Sequence, residues 1–184
     1  MRKRAGAANV RGVEVVNLQK RFAIRSREIT TFARALKRRL HLDQQKFNIC
    51  FVDDAAIRHL NLAYRGKSKA TDVLSFPWND AAEPALEANL GLQAGDSFAH
   101  FLGDVVISVD TARRNAAEEG HSTLNEIRWL ILHGVLHLLG YDHARDKGEM
   151  VALELALRDQ LGIAGQREKS VKLPRAKPQI PRPR

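Results

Sequence analysis

Three histidines in the segment HGVLHLLGYDH, residues 133–143, are the side chains best suited to chemistry. His133 and His137 are four residues apart, so on a helix both imidazoles project from one face and can reach a single ion. Gly140 lets the chain leave the helix and turn, so that His143 can return as a third ligand. Three imidazoles leave one position of a tetrahedral zinc ion open, which is the arrangement of a catalytic site. Nickel, copper or iron would also accept these donors.

The same spacing, HxxxHxxGxxH, occurs in metzincin proteases, which place a glutamate directly after the first histidine as general base. Here that position is Gly134, and a residue without a side chain cannot take a proton. Peptide hydrolysis by that route is therefore disfavoured; a base must come from elsewhere, or water activated by the metal acts without one. Asp142 could orient a liganding imidazole or take part in proton transfer, and it could equally cap the turn. The alternative is that these are ordinary histidines on a half-buried helix and bind no metal. The third histidine and the glycine turn make this alternative less favoured.

Hydrophobic periodicity predicts an α+β domain around this segment. Short apolar runs indicate about four strands, at 13–16, 47–52, 73–76 and 105–108. Apolar residues at helical spacing, together with capping residues, predict helices at 26–40, 53–66 and 111–120, from 122 or 123 through the histidine pair, and at 146–161. These elements do not alternate strictly, so we predict a mixed sheet packed with helices. Residues 77–100 are predicted to form a long loop.

The chain has 184 residues and a formal charge of +9, most of which lies at its ends. Residues 1–11 contain four basic and no acidic side chains, and residues 165–184 contain seven basic side chains and one glutamate. Residues 12–164 carry 19 basic and 20 acidic side chains. We therefore predict a basic disordered tail over 1–11, a single domain over 12–162, and a basic, proline-rich disordered tail over 163–184.

Other broad classes are disfavoured by composition. The lone Cys50 cannot form an intramolecular disulfide, and no apolar run approaches the ~20 residues that a membrane span requires. No apolar segment follows the basic start, as a signal peptide would need. We expect a cytoplasmic protein. On the first helix Arg34, Lys37 and Arg38 lie away from the apolar stripe, and we predict an exposed basic face there.

Three blocks of the sequence resemble the YbeY family of bacterial endoribonucleases. They are LNLAYRGKSKATDVLSFPW at 60–78, LGDVVIS at 102–108 and HGVLHLLGYDH at 133–143. Their order and spacing match the family as well, and the resemblance covers most of residues 12–162. Ser68 and Ala70 stand where the family has aspartate and proline, a departure that affects loop stiffness more than chemistry.

The resemblance implies a zincin-like fold in which His133, His137 and His143 hold one zinc ion. It also implies that Arg65 is required for activity, so that Arg65, His133 and His137 are the predicted catalytic residues. A guanidinium near the metal can bind a phosphate through two hydrogen bonds and stabilise the charge of its transition state. The implied activity is metal-dependent cleavage of single-stranded RNA, in maturation of the 3′ end of small-subunit rRNA and in ribosome quality control. The implied partners are rRNA precursors, small-subunit ribosomal components and a ribosome-associated GTPase.

Two other functions remain open at this point. One is a zinc metallohydrolase of another class, such as a peptidase that has relocated its base, and the other is a non-catalytic ribosome-assembly factor with structural zinc. Without the resemblance, Arg65 would be read as part of a solvated basic loop. Phe76, Trp78 and Phe98 could stack on unpaired bases, although aromatic residues beside a strand more often belong to the core.

Overall fold

The computed structural model describes residues 8–10, 12–78, 100–142 and 146–163. These residues form one mixed sheet with strands β1 (Ala8–Val10), β2 (Val13–Asn17), β3 (Lys46–Val52), β4 (Val73–Pro77) and β5 (Phe101–Ser108). The helices are α1 (Ser26–Arg39), α2 (Asp54–Arg65), α3 (Val109–Glu118), α4 (Thr123–Leu138) and α5 (Glu149–Gln160). The α+β class is therefore confirmed. None of the described helices is both long enough and apolar enough to cross a membrane.

The sheet has one strand more than the sequence predicted. Its order is β1-β2-β3-β5-β4, in which β2, β3 and β5 run parallel while β1 and β4 are antiparallel edges. The additional strand, β1, lies within the segment predicted as a tail and pairs with β2 through a tight turn at Gly12, whose φ is 85°. A three-residue edge strand is held by backbone pairing, so a basic composition does not reveal it. Residues 1–7 and 164–184, and most of the predicted loop, lie outside the described residues.

Helices cover both faces of the sheet. Phe47, Ile49 and Phe51 of β3 are fully buried on the face that packs against α1 and α4, and α5 adds apolar side chains to the same core. The opposite face packs against α2 through a smaller cluster formed by Val52, Ile57, Leu74 and Val106. Since the edge strand β4 contacts both α2 and α4, it links the two sides of the sheet.

The predicted basic face of α1 is only partly exposed. Arg38 is exposed and Arg34 is half-buried, whereas only 5% of Lys37 is accessible. A Cβ on Gly12 would lie 2.8 Å from the Lys37 Nζ, which shows that the β1–β2 turn covers this ammonium group. Burial lowers the pKa of Lys37, and the nearby Asp43 carboxylate offsets part of that effect. The prediction was wrong for Lys37 because the turn that covers it comes from a distant part of the chain.

Candidate metal centre

Helix α4 carries the two histidines at a fixed position beside the sheet. Ser122 begins the helix by accepting the backbone N–H of Asn125 at 3.2 Å, and the apolar side of α4 is buried in the larger core. His133 and His137 are both half-buried. Their Nε2 atoms lie 3.2 Å apart, which confirms the prediction that the spacing brings both imidazoles to one place.

Hydrogen bonds at the other ring nitrogens orient both imidazoles. The Nδ1 of His137 lies 2.9 Å from the carbonyl oxygen of Tyr141, and the Nδ1 of His133 lies 3.4 Å from Glu154 Oε2. A carbonyl and a carboxylate can only accept, so these contacts favour the neutral tautomer that has its proton on Nδ1 and a lone pair on Nε2. Two ligand atoms on a tetrahedral zinc ion with bonds of about 2.0–2.1 Å lie roughly 3.3 Å apart. The 3.2 Å separation of the two Nε2 atoms therefore fits two ligands of one metal ion.

Glu154, on α5, is a site residue that the sequence analysis missed. One carboxylate oxygen accepts from the Trp129 indole N–H and the other faces His133. Burial would raise the pKa of Glu154, but the hydrogen bonds from His133 and Trp129 and the charge of Arg158 outweigh it and leave that pKa below its ordinary value. The group is thus an ionised acceptor, as in the carboxylate–histidine pairs that orient metal ligands. The available signal was an acidic residue inside the apolar stretch MVALELAL.

We expect Glu154→Gln to weaken metal binding by about 10- to 100-fold, the usual cost of losing the acceptor behind a liganding histidine. Only one oxygen remains in glutamine, so Trp129 and His133 would compete for it. Competition with a chromophoric chelator measures the metal affinity. Glu149→Gln, at the exposed first position of the same helix, is the matched control; equal affinities for the two variants would contradict the role of Glu154.

The chain turns directly after α4, as the sequence predicted. Gly140 has a φ of 88°, and the Tyr141 N–H donates to the Leu136 carbonyl at 3.1 Å. His143, the predicted third ligand, lies outside the described residues. Within the part of the chain that the structure describes, no group of three His, Cys, Asp or Glu side chains could hold a metal ion. The described geometry therefore provides two oriented donors, and the role of His143 stays a prediction.

Gly134 is required where α4 lies closest to the sheet. A Cβ at this position would be 2.6 Å from Val105 Cγ1, and the Ser75 hydroxyl donates to the Gly134 carbonyl at 3.0 Å. A side chain here would enter the sheet, not the metal centre. This packing explains why position 134 offers no general base.

We predict that Gly134→Ala lowers the free energy of unfolding by about 1–3 kcal/mol, the typical cost of overpacking. At a helical glycine without such a contact, the same substitution would raise the free energy of unfolding, because alanine is more favourable than glycine in a helix by about 1 kcal/mol. Urea denaturation of both proteins distinguishes the two signs. A stabilised variant would show that α4 does not approach Val105 as closely as described.

Arg65 ends a helix that packs on the opposite face of the sheet from α4. It is the exposed last residue of α2, which ends at Gly66 with a φ of 65°. Helix α2 reaches β4 through Tyr64, whose ring contacts Phe76 at 5.0 Å, whereas α4 reaches β4 through Ser75. Successive strand residues point to opposite faces. The helix that ends at Arg65 and the helix that carries the histidine pair therefore contact the same edge strand from its two sides.

Two of the three aromatic residues predicted to stack on bases pack against other rings of the protein. Phe76 is half-buried beneath Tyr64, and Trp78 packs edge-to-face against Phe101 with ring centroids 5.8 Å apart. Phe98 lies outside the described residues. Phe76 and Trp78 thus contribute to packing around β4.

An α+β sheet with two oriented imidazoles beside its edge defines a candidate metal-binding protein. Residues 14–162 match the model of the family described as Endoribonuclease YbeY. The chain therefore belongs to the YbeY family of endoribonucleases, which confirms the resemblance carried by the three sequence blocks.

Curated relatives agree with this assignment, and one solved structure is similar in fold. Proteins named Endoribonuclease YbeY are 46% identical in Nautilia profundicola, over 66% of this chain and 76% of that protein, and 42% identical in Aquifex aeolicus, over 71% and 77%. The relative from Myxococcus xanthus is 44% identical over 75% of this chain but only 44% of its own length. A Thermotoga maritima protein solved in solution is similar in fold, with a TM-score of 0.50 and 20% identity over 86% of this chain and 99% of that one.

Proposed function

We propose that this chain is a zinc-dependent endoribonuclease that cleaves single-stranded RNA. His133, His137 and His143 are the proposed zinc ligands, and Arg65 is the proposed phosphate-binding residue, in a zincin-like arrangement. The observation that carries the proposal is the pair of Nε2 atoms 3.2 Å apart, in a chain of an endoribonuclease family. The sequence resemblance supports rRNA precursors as substrate, with maturation of the small-subunit rRNA 3′ end and ribosome quality control as the process. It also supports small-subunit components and a ribosome-associated GTPase as partners, in the cytoplasm.

In the proposed mechanism, different residues of this chain orient the metal ligands and bind the phosphate. Glu154 and the Tyr141 carbonyl accept from the Nδ1 atoms of the two imidazoles, an arrangement in which the Nε2 atoms bind the metal. Zinc, when bound, supplies Lewis-acid polarisation. The Arg65 guanidinium, exposed at the end of α2, binds the phosphate and stabilises the charge that develops on it. Position 134 takes no part in proton transfer, because its backbone packs against Val105.

Digestion of two substrate classes tests this proposal. Purified zinc-loaded protein is incubated with a labelled single-stranded RNA, with the same RNA annealed to its complement, and with a peptide library. We expect cleavage inside the single strand, slower cleavage of the duplex and no peptide cleavage. Cleaved peptides with intact RNA would favour a metallohydrolase of another class. If RNA and peptides both stay intact, the non-catalytic assembly role would replace the proposed activity.

A further inference from the structure

Tyr64, the residue before Arg65, has an exposed aromatic ring to which the proposed mechanism gives no function. The side chain of Tyr64 is 69% exposed, although tyrosine carries a large apolar ring. Its ring meets Phe76 edge-to-face, with centroids 5.0 Å apart and planes at 72°. The contact with Phe76 thus orients the Tyr64 ring near the end of α2, while most of its surface remains accessible.

The surroundings of Tyr64 are basic. Arg65, Lys67 and Lys69 are all exposed, and residues 62–71 contain no acidic side chain. Among the described residues, none of these three cations forms an ion pair. The excess of positive charge is local, because residues 47–164 as a whole carry 10 basic and 17 acidic side chains. An accessible ring among cations that form no ion pair within the described residues is suited to a polyanion with aromatic groups.

We propose that Tyr64 is a nucleobase-stacking subsite: an unpaired base of the RNA stacks on its ring while Lys67 and Lys69 bind the adjacent phosphates. This inference rests on the proposed function, because it requires an RNA substrate. Stacking tolerates any base, since every base has a π-face, and each stacked base contributes about 5- to 150-fold in affinity. Bases in a duplex are already stacked on their neighbours. The subsite therefore accounts for a preference for single strands without base-specific hydrogen bonds.

The position of the subsite suits a strand that crosses the edge of the sheet. Tyr64 contacts β4 on the side of α2, whereas Ser75, the residue before Phe76, contacts α4 next to His133. An RNA strand that passes around β4 therefore meets the histidine pair on one side and the aromatic ring on the other. A protein partner would be the alternative occupant of an exposed tyrosine. The adjacent cations, without acidic residues among them, favour RNA over a protein surface of mixed charge.

Binding measurements with and without bases test the subsite. Fluorescence anisotropy gives the affinity of the zinc-loaded protein for a 2′-O-methyl oligouridine and for an abasic strand of the same length. We expect Tyr64→Leu to weaken binding of the base-bearing strand by about tenfold, Tyr64→Phe to retain it, and neither to change binding of the abasic strand. Leu18→Ala, at another exposed apolar residue, is the control and should bind both strands as the wild type does. The proposal is overturned if Tyr64→Leu binds the base-bearing strand normally, or loses both strands equally.

Cleavage of unmodified RNA by the same proteins separates this inference from the proposed function. If the wild type cleaves RNA while Tyr64→Leu retains normal affinity, the activity stands and the subsite is wrong. If affinity for bases depends on Tyr64 but no protein cleaves RNA, the subsite stands and the proposed activity is wrong. A wild type that neither binds nor cleaves would overturn both. In the expected case Tyr64→Leu raises KM with little change in kcat, because the ring contributes binding away from the scissile phosphate.

Discussion

The variant His137→Ala is expected to lose both its bound zinc and its RNA cleavage. The Nε2 of His137 lies 3.2 Å from that of His133 and is oriented by the Tyr141 carbonyl. Loss of an outer hydrogen-bond partner already lowers metal affinity by about 10- to 100-fold, so loss of a ligand should cost at least 100-fold. Cleavage should fall to the background of a blank preparation, because the remaining donors cannot complete the site.

Metal analysis and RNA cleavage by the same purified protein measure this effect. His59→Ala is the matched control: it removes an exposed histidine of α2 and should retain one zinc per chain and full activity. Circular dichroism shows whether both variants are folded. A folded His137→Ala protein that still cleaves RNA at the wild-type rate would rule out the proposed centre. Cleavage that falls equally in both variants would show that the loss is not specific to the proposed centre.

The second large effect is expected for Arg65→Ala, which should reduce kcat/KM for single-stranded RNA by about 100- to 1,000-fold. The loss arises because the negative charge that develops on the phosphate in the transition state would lose the hydrogen bonds donated by Arg65. Zinc content should stay at the wild-type level, since α2 and the histidine-bearing helix pack on opposite faces of the sheet. Arg65→Lys should restore only part of the activity, because an ammonium group cannot form the paired hydrogen bonds of a guanidinium.

Arg58→Ala is the control for Arg65→Ala. Arg58 is an exposed arginine of the same helix, seven residues earlier, so it lies on the same side of α2 about two turns away. It changes the net charge by the same amount but should leave kcat/KM nearly unchanged. Comparable losses in both variants would show that positive charge on α2 attracts RNA in general. Normal cleavage by Arg65→Ala would show that Arg65 belongs to a solvated basic segment and has no role in catalysis.

The local features of the site were predictable, because their signals lie close together in the chain. The spacing of His133 and His137 predicted a shared helix face, and Gly140 predicted the turn that follows. The absence of a base at position 134 could also be inferred, although the reason for it, contact with Val105, required the structure. Periodicity likewise identified four of the five strands, which all have regular apolar runs.

The features that the sequence did not reveal depend on contacts between distant segments. Glu154 reaches His133 across 21 residues, and no spacing rule connects α5 to α4. Lys37 looked exposed on a helical projection because the turn at Gly12 that covers it comes from another part of the chain. Strand β1 is held by backbone pairing within a segment whose basic composition suggests a tail. In each case a tertiary contact overrides a local pattern.

Zinc titration of metal-free protein tests the central claim, metal-dependent RNA cleavage at the histidine pair, most directly. The protein is stripped with a chelator, dialysed and assayed on single-stranded RNA at increasing ratios of zinc to chain. We expect no cleavage without metal, a linear rise with added zinc, and a plateau at one zinc per chain. Full cleavage by the metal-free protein, or tight binding of one zinc with no cleavage at any ratio, would contradict it.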